Sequence, residues 1–323
     1  MSPDLSSYEN IIVAVSGGKD GTACLLALLE AGAPVERIKL WHHKVDGAGL
    51  PFMDWPSTEP YVAALAQDFS LPIYRSWREG GFEREMLRDR EPTAAVVFET
   101  PDGVMRAGGQ GPEGTRLRFP QVSSSLSVRW CSASLKVDVA DRALRAQDRF
   151  LNRRTLFVTG ERAEESPARA RYAPFEPHRT DTRNGRRRRR HVDHWRPVHK
   201  WSEAEVWAIL KRWSVTPATP YKIGFSRLSC AFCIFADAHA FATLQWMDAT
   251  KFARLVDYEE HFGCTIKRDR SLMHLVRQGR VFEAARSQPA LVKAALSDRQ
   301  IRSVFTEEWP LPAGAFGNGE WPA

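Results

Sequence analysis

The sequence predicts an α/β fold: a doubly wound parallel sheet followed by a smaller, mainly helical C-terminal region. Three observations predict it. Apolar strand-like runs and amphipathic helical runs alternate as βαβαβ over residues 11–77. The first apolar run, "IIVAV", passes directly into the glycine-rich turn "SGGKDGT" and then into a helical pattern. The chain has 323 residues and 43% hydrophobic content, enough for a sizeable core.

The elements follow in order. Residues 11–15 are expected to form a buried strand, and residues 21–31 a helix closed by Gly32 and Pro34. Residues 37–43 give a second strand. Residues 57–69 give a helix opened by a Ser/Thr cap and a glutamate, and residues 71–77 a third strand. The Gly-rich stretch 78–128 interrupts the pattern and reads as an inserted, mobile hairpin or loop. A helix over 132–147 and a strand over 155–160 resume it. Ser202, with Glu205 three residues on, starts a helix over 201–213. Beyond residue 216 the helical pieces are 238–262 and 287–298. The expected division is a nucleotide-binding α/β domain over 1–215 and a C-terminal region over 216–323.

Charge narrows the partners. The formal charge is +7 and the pI about 9.3, with much of it in "RNGRRRRRH", residues 183–191. This favours polyanions such as nucleotides or nucleic acid, unless the run is simply a solvated basic loop. No apolar run approaches the ~20 residues needed to span a bilayer, and the N-terminus carries no signal-peptide pattern, so no membrane partner and a cytoplasmic location are expected. Five cysteines, an odd and sparse set, argue against a disulfide framework.

The turn at residues 16–22 lies where open parallel sheets bind ligands, at the carboxyl end of a strand. Gly17 and Gly18 let the backbone approach a ligand. The start of the next helix favours an anion. Ser16, Lys19 and Thr22 add hydroxyls and a charge; Asp20 can cap the helix or place a metal ion. Phosphate binding is the expectation. Neither G-x-x-x-x-G-K-[ST] nor G-x-G-x-x-G is present.

Strand–Ser-Gly-Gly-Lys-Asp–helix resembles the loop of PP-loop enzymes, and four later blocks resemble their phosphoadenosine phosphosulfate (PAPS) reductase branch. These are "RWCSASLKVDVADRAL" (129–144), "VTGERAEESPARARY" (158–172), "WRPVHKWSEAEVWAIL" (195–210) and "PYKIGFSRLSCAFCIF" (220–235). Sulfonucleotide reductases and the PP-loop enzyme of DNA phosphorothioation share such blocks. The resemblance implies that Ser16, Gly17, Gly18, Lys19, Asp20, Gly21 and Thr22, together with His42, Gly160, Arg162 and Arg169, bind an adenine nucleotide: ATP with Mg²⁺, or PAPS or its 3′-dephospho form. Gly21 stands where these loops often carry serine. Lys19, Asp20, Lys136 and Arg162 are the implied catalytic groups. Cys131, Cys230 and Cys233, with Cys264 as a fourth, are the candidate ligands of a [4Fe-4S] cluster or of zinc; free thiols are the alternative.

The reductases of this branch carry a catalytic cysteine in a Glu-Cys-Gly-x-His tail, whereas residues 265–323 contain no cysteine. The favoured expectation is therefore a PP-loop enzyme that activates or cleaves its nucleotide at the α-phosphate for sulfur transfer, with nucleic acid, held by residues 183–191, as a candidate acceptor. A cysteine desulfurase or thioredoxin would supply sulfur. The alternatives are a sulfonucleotide reductase and a non-catalytic protein that binds nucleotide or nucleic acid.

Overall fold

The computed structural model describes residues 3–317. Strands β1 (Asn10–Val15), β2 (Ile38–Lys44), β3 (Ile73–Arg78), β4 (Val96–Thr100), β5 (Gly103–Ala107), β6 (Arg154–Val158), β7 (Phe175–Pro177) and β8 (His191–Trp195) form an eight-stranded sheet in the order β5-β4-β3-β2-β1-β6-β8-β7. The five central strands, β3-β2-β1-β6-β8, run parallel. β4, β5 and β7 add antiparallel edges. The insert thus contains a hairpin, and that hairpin extends the main sheet.

The period of two along each central strand divides the core into two layers. Ile11, Val13 and Val15 face the larger apolar layer, which also takes Leu156 and Val158. Ile12 points to the other face with Trp41, Phe157 and Val192. Helix α1 (Lys19–Glu30) covers the first face and buries Ala23, Cys24, Leu25, Leu26 and Leu28 completely. Each such leucine contributes about 1.5–3 kcal/mol. Helix α2 (Thr58–Asp68) lies on the same side. Helix α3 (Asp138–Ala146) covers the opposite face through Val139, Ala143 and Leu144.

Helix α4 (Glu203–Arg212) starts with the expected capping box: Ser202 Oγ accepts from Glu205 N–H, and Glu205 accepts from Ser202 N–H at 2.7 Å. Helices α5 (Ala238–Met247), α6 (Ala249–Phe262) and α7 (Leu272–Gln278) follow. Their buried residues, and Val304 beyond them, belong to the same apolar layer as β1.

Three expectations need correction. The single helical stretch 238–262 is two helices, broken at Asp248, whose carboxylate caps the second through Lys251 N–H. Ser57 makes no capping hydrogen bond, because its own backbone is already helical, with φ −76° and ψ −6°. The arginine-rich stretch hides a strand, β8, and β7 lies just before the run.

The sheet buries histidines, and this predicts acid lability. Burial pushes His43 and His178 down to about 3 and His194 to about 4, and lowers His42 as well. Unfolded chains take up these protons near pH ~6.5. The stability is fully present above that value and is lost as pH falls through the window down to the folded values. Thermal unfolding followed from pH 7 to pH 4 should show a melting temperature that drops steadily; a flat profile would contradict neutral, buried imidazoles.

Candidate functional site

The 16–22 turn joins β1 to α1 at the carboxyl edge of the parallel strands. Gly17 has φ +73°, a conformation that favours glycine. Gly18 is the extended N-cap of α1, and no side chain caps the helix. Thr22 N–H donates to Gly18 O, and Lys19 N–H donates to the Tyr221 hydroxyl at 3.2 Å. Among the described residues the N–H groups of Gly17, Gly18, Asp20 and Gly21 meet no acceptor. Open donors at the start of a twelve-residue helix form an anion-binding position.

The glycines are set by close packing. A Cβ on Gly21 would stand 3.1 Å from the Ala14 carbonyl oxygen of β1, which explains glycine where related loops carry serine. A Cβ on Gly160, just past β6, would stand 2.7 Å from the Asp20 carbonyl carbon. That neighbour is backbone and cannot yield. Gly160→Ala should therefore part β6 from the first turn of α1, lower stability by about 1–3 kcal/mol and loosen the loop. Chemical denaturation and nucleotide titration would check both; a variant that matched the parent in both would show that the contact is not tight.

Around the loop the charged side chains neutralise one another. Arg162 is buried (1% exposed). Its Nε donates to Asp20 Oδ1 at 2.6 Å, its Nη1 to Glu164 and to the Trp201 carbonyl, and its N–H to Glu165. Arg169 pairs with Glu165; Arg171 is exposed. Lys19 is buried against Trp207 and Tyr221, with Asp20 at 3.4 Å and Glu203 at 3.8 Å. Burial pulls its pKa down, but Asp20, Tyr221 and Glu203 outweigh this and hold it above its usual value. Thr22 spends its hydroxyl on Gly18 O, and Ser16 is exposed. His42 is buried, with Nδ1 on the Val15 carbonyl and Nε2 near Glu59.

A second group gathers beside the loop. Residues 130–137 combine a helical turn, Trp130–Ser132, with a π-helical turn, Ala133–Val137; such π turns are frequent at functional sites. They carry Cys131 and Lys136. The Lys136 ammonium donates to Ser229 Oγ at 3.1 Å. It acts on Cys131, Cys230, Asp54 and His43, favouring the charged form of the thiols and of the carboxyl. Asp54 and Cys230 face each other in an antiparallel β-bridge, which puts their Cβ atoms on one side about 5 Å apart. Burial, then Asp46, pushes Asp54 up to about 7. Burial pushes the Cys131 thiol up to about 11 and Cys230 well above its usual range. These groups are desolvated yet still reached by solvent, as residues lining a crevice are.

Cys131, Cys230 and Cys233 act on one another's ionisation. Cys264, on the turn after α6, is not among the leading influences on any of them. Among the described residues no three His, Cys, Asp or Glu side chains converge to hold a metal ion. The thiols of Cys131, Cys230 and Cys233 are thus neighbours. Asp20, the acid of the loop, is engaged by Arg162 and Lys19 rather than open to Mg²⁺.

The basic run lies elsewhere. It precedes β8, whose first residue, His191, is in register with Arg154 at the start of β6. Residues 186–190 therefore sit at the amino edge of the parallel strands, opposite the loop. Most of the run is engaged: Arg183 with Asp181 and Asp193, Arg188 with Asp148, Arg190 with the Arg145 carbonyl. Among the described residues Arg186 and Arg187 have no partner.

Sequence reasoning missed five residues of the site: Asp54, Arg129, Tyr221, Arg227 and Ser229. Arg129, Arg169 and Arg227 line a small pocket of about 40 Å³ with Ser166, Tyr172 and Phe235. The Arg129 Nε is buried there without an acceptor. A signal for two of them exists in the sequence, an arginine two residues before Cys131 and another three before Cys230.

A parallel sheet with an uncapped glycine turn at its carboxyl edge, roofed by a cysteine-bearing segment, defines a PP-loop α/β protein. The phosphoadenosine phosphosulfate reductase domain model matches residues 112–236. An uncharacterised 37.8 kDa protein of Escherichia phage 186 is 31% identical over 281 residues, covering 80% of this chain and 77% of that one. Adenosine 5′-phosphosulfate reductase of Neisseria meningitidis is 30% identical over 116 residues, 36% of this chain and 41% of the enzyme. The chain belongs to the PAPS reductase family of PP-loop proteins.

Among solved structures, PAPS reductase of Candida auris in a phosphate complex aligns with a TM-score of 0.33 and 16% identity, over 65% of this chain and 75% of that one. Candida glabrata FMN adenylyltransferase with FAD and inorganic pyrophosphate aligns with a TM-score of 0.38 and 14% identity. The alignment covers 70% of this chain and 56%, a little over half, of that one. Among the described residues no helix is long and apolar enough to cross a membrane.

Proposed function

We propose that the chain binds ATP or a related adenylyl nucleotide on the 16–22 loop and cleaves it at the α-phosphate for sulfur transfer. The observation that carries this reading is the set of four open N–H groups, of Gly17, Gly18, Asp20 and Gly21, beside Lys136 and the thiols. The β- and γ-phosphates lie on these donors. An acceptor oxygen attacks the α-phosphorus, the bond to the bridging oxygen breaks, and pyrophosphate leaves on the loop. The helix start stabilises its charge as it departs. Lys136 and the pocket of Arg129, Arg169 and Arg227 serve the remaining anionic groups. The outer sulfur of a persulfide, carried by a donor such as a cysteine desulfurase, then displaces AMP from the adenylated acceptor, and a dithiol reductant such as thioredoxin cleaves the resulting disulfide to release the thiolated acceptor and the donor's thiol. No step is assigned to a metal or a cluster.

The test is anaerobic incubation with ATP, assayed for pyrophosphate, beside incubation with PAPS and reduced thioredoxin, assayed for sulfite. Pyrophosphate without sulfite supports this reading. Sulfite from PAPS would overturn it in favour of a sulfonucleotide reductase, and turnover of neither nucleotide would leave a binding protein.

A further inference from the structure

We infer that the corner of the molecule where the parallel strands begin binds the phosphates of duplex DNA. The inference goes beyond the reaction proposed above and does not depend on it, because this corner lies at the opposite end of the strands from the 16–22 loop.

Four segments meet there: residues 4–9 before β1, 34–39 leading into β2, 145–154 from the end of α3 to the start of β6, and 183–190 before β8. Contacts join them into one surface. Glu9 N–H donates to Arg154 O, Asn152 N–H to Arg189 O, Arg190 Nη2 to Arg145 O, and Arg37 Nη1 to Ser6 O and Tyr8 O.

The charge of this surface is positive after every carboxylate is counted. Glu9 pairs with Arg153, Glu36 with Arg37 and Asp148 with Arg188. Arg154 acts on Asp4, Asp102 on Arg149, and Arg179 on the buried Asp141. Asp181 and Asp193 share Arg183, which leaves one carboxylate over. Against it stand six cations without an ion pair among the described residues: Lys39, Arg145, Arg186, Arg187, Arg189 and Arg190. The excess of five is most of the chain's formal +7. Among the described residues Arg149 Nε, Arg149 Nη2 and Arg190 Nε meet no acceptor. Burial, then Arg188 and Arg145, lowers the pKa of Arg190, and burial, then Arg149, lowers that of Lys39. A bound polyanion relieves this crowding of like charges.

The shape of the surface selects the polyanion. It follows the sheet edge from Lys39 on β2, across β1 and β6, to Arg190 beside β8. Three strand spacings of ~4.8 Å make about 14 Å. That is the length of about four phosphates along one strand of a double helix, at ~3.4 Å each. Guanidinium forks suit such phosphates. The rings at this corner are buried, as Tyr8 and Phe150 are, or covered by Arg149, as Tyr74 is, so unpaired bases have nothing to stack on. Within 145–154 and 183–190 no large apolar side chain is exposed, as insertion into a membrane interface requires. Duplex RNA is held largely through its 2′-hydroxyls, whereas this edge offers cations for phosphates alone.

The test is fluorescence anisotropy of a labelled DNA duplex of mixed sequence, with the full chain and no ATP, over a series of salt concentrations. Arg186→Ala, Arg187→Ala and Arg189→Ala combined should weaken binding at least ~10-fold and lower the log–log salt slope by about 2.7, at about 0.9 per lost phosphate contact. Arg186→Lys, Arg187→Lys and Arg189→Lys combined should keep the parent's slope, since the charge remains. Arg268→Ala with Arg270→Ala removes two exposed charges beside the cavity that Cys230 and Cys233 line. Being farther than a Debye length from the duplex, that pair should leave affinity within about two-fold of the parent. Circular dichroism verifies folding. If loss of the Arg189 bond to the Gly185 carbonyl unfolds the triple variant, Arg186→Glu with Arg187→Glu reads the same surface. Undiminished affinity in the 186/187/189 alanine variant overturns the proposal. Equal loss in the 268/270 variant does so too, because it would report total charge and not this corner. Tighter binding of a single strand or an RNA duplex of the same length, or binding of phosphatidylserine vesicles without DNA binding, also overturns it. Pyrophosphate release from ATP is scored separately and decides only the reaction.

Discussion

Arg162→Ala is expected to destabilise the chain by about 3 kcal/mol. The guanidinium is buried and joins three parts of the site: Asp20 on the loop, Glu164 after β6 and the Trp201 carbonyl before α4. Removing one partner of such a set leaves carboxylates without their cation, a loss of about 3–5 kcal/mol in buried pairs. The low end applies here because Glu164 is 54% exposed and water can take over part of the contact. Arg162→Lys should recover part of the loss, since the charge remains while the planar fork does not. Urea denaturation measures both. If the alanine variant unfolded with the parent's midpoint while nucleotide affinity collapsed, Arg162 would be a ligand contact and not the brace argued for here.

Lys136→Ala is expected to lower turnover by about 10²–10³-fold, the usual cost of removing one charge-stabilising donor from a preorganised site. Its stability cost should be small, because the ammonium makes one side-chain hydrogen bond, to Ser229. The diagnostic is chemical as well as kinetic. Lys136 is a cation acting on Cys131 and Cys230, and it opposes the upward push that burial exerts on both thiols. Without it the thiols should ionise at still higher pH, and alkylation of the chain by iodoacetamide at pH 8 should slow. Unchanged turnover together with an unchanged alkylation rate would remove Lys136 from the chemistry.

The first half of the fold was legible because its signals are local. The run from β1 to β3 falls within two residues of expectation, since buried strands here are short apolar runs and the helices carry stripes that those strands must cover. β8 was hidden for a physical reason. Its buried positions, Val192, Asp193 and Trp195, include a carboxylate held by Tyr8 and Arg183, and five consecutive arginines precede it. A period of two cannot be read through that chemistry. The capping box at Ser202 was legible, whereas the cap expected at Ser57 does not form, because Ser57 itself has helical backbone angles in place of the extended ones a capping residue adopts.

The site divides the same way. The loop glycines were read from the strand–turn–helix pattern and Cys230 and Cys233 from their Cys-x-x-Cys spacing, whereas Cys131 and Lys136 came from the resemblance carried by residues 129–144. Asp54 came from neither, because its pairing with Cys230 spans most of the sequence and no local pattern records it. Charge counted along the 183–191 run does not reveal that Arg183, Arg188 and Arg190 are engaged by neighbours in space.

The Tyr221 hydroxyl accepts from Lys19 N–H at the helix start, and its ring meets Trp207 edge-on at 5.3 Å. A phosphate arriving at that donor must trade places with the phenol. Arrival is then an exchange with its own barrier, and the observed rate should level off at high nucleotide concentration instead of climbing without limit. The indole beside the phenol registers each exchange, so the intrinsic emission of Trp207 is a built-in clock for the loop.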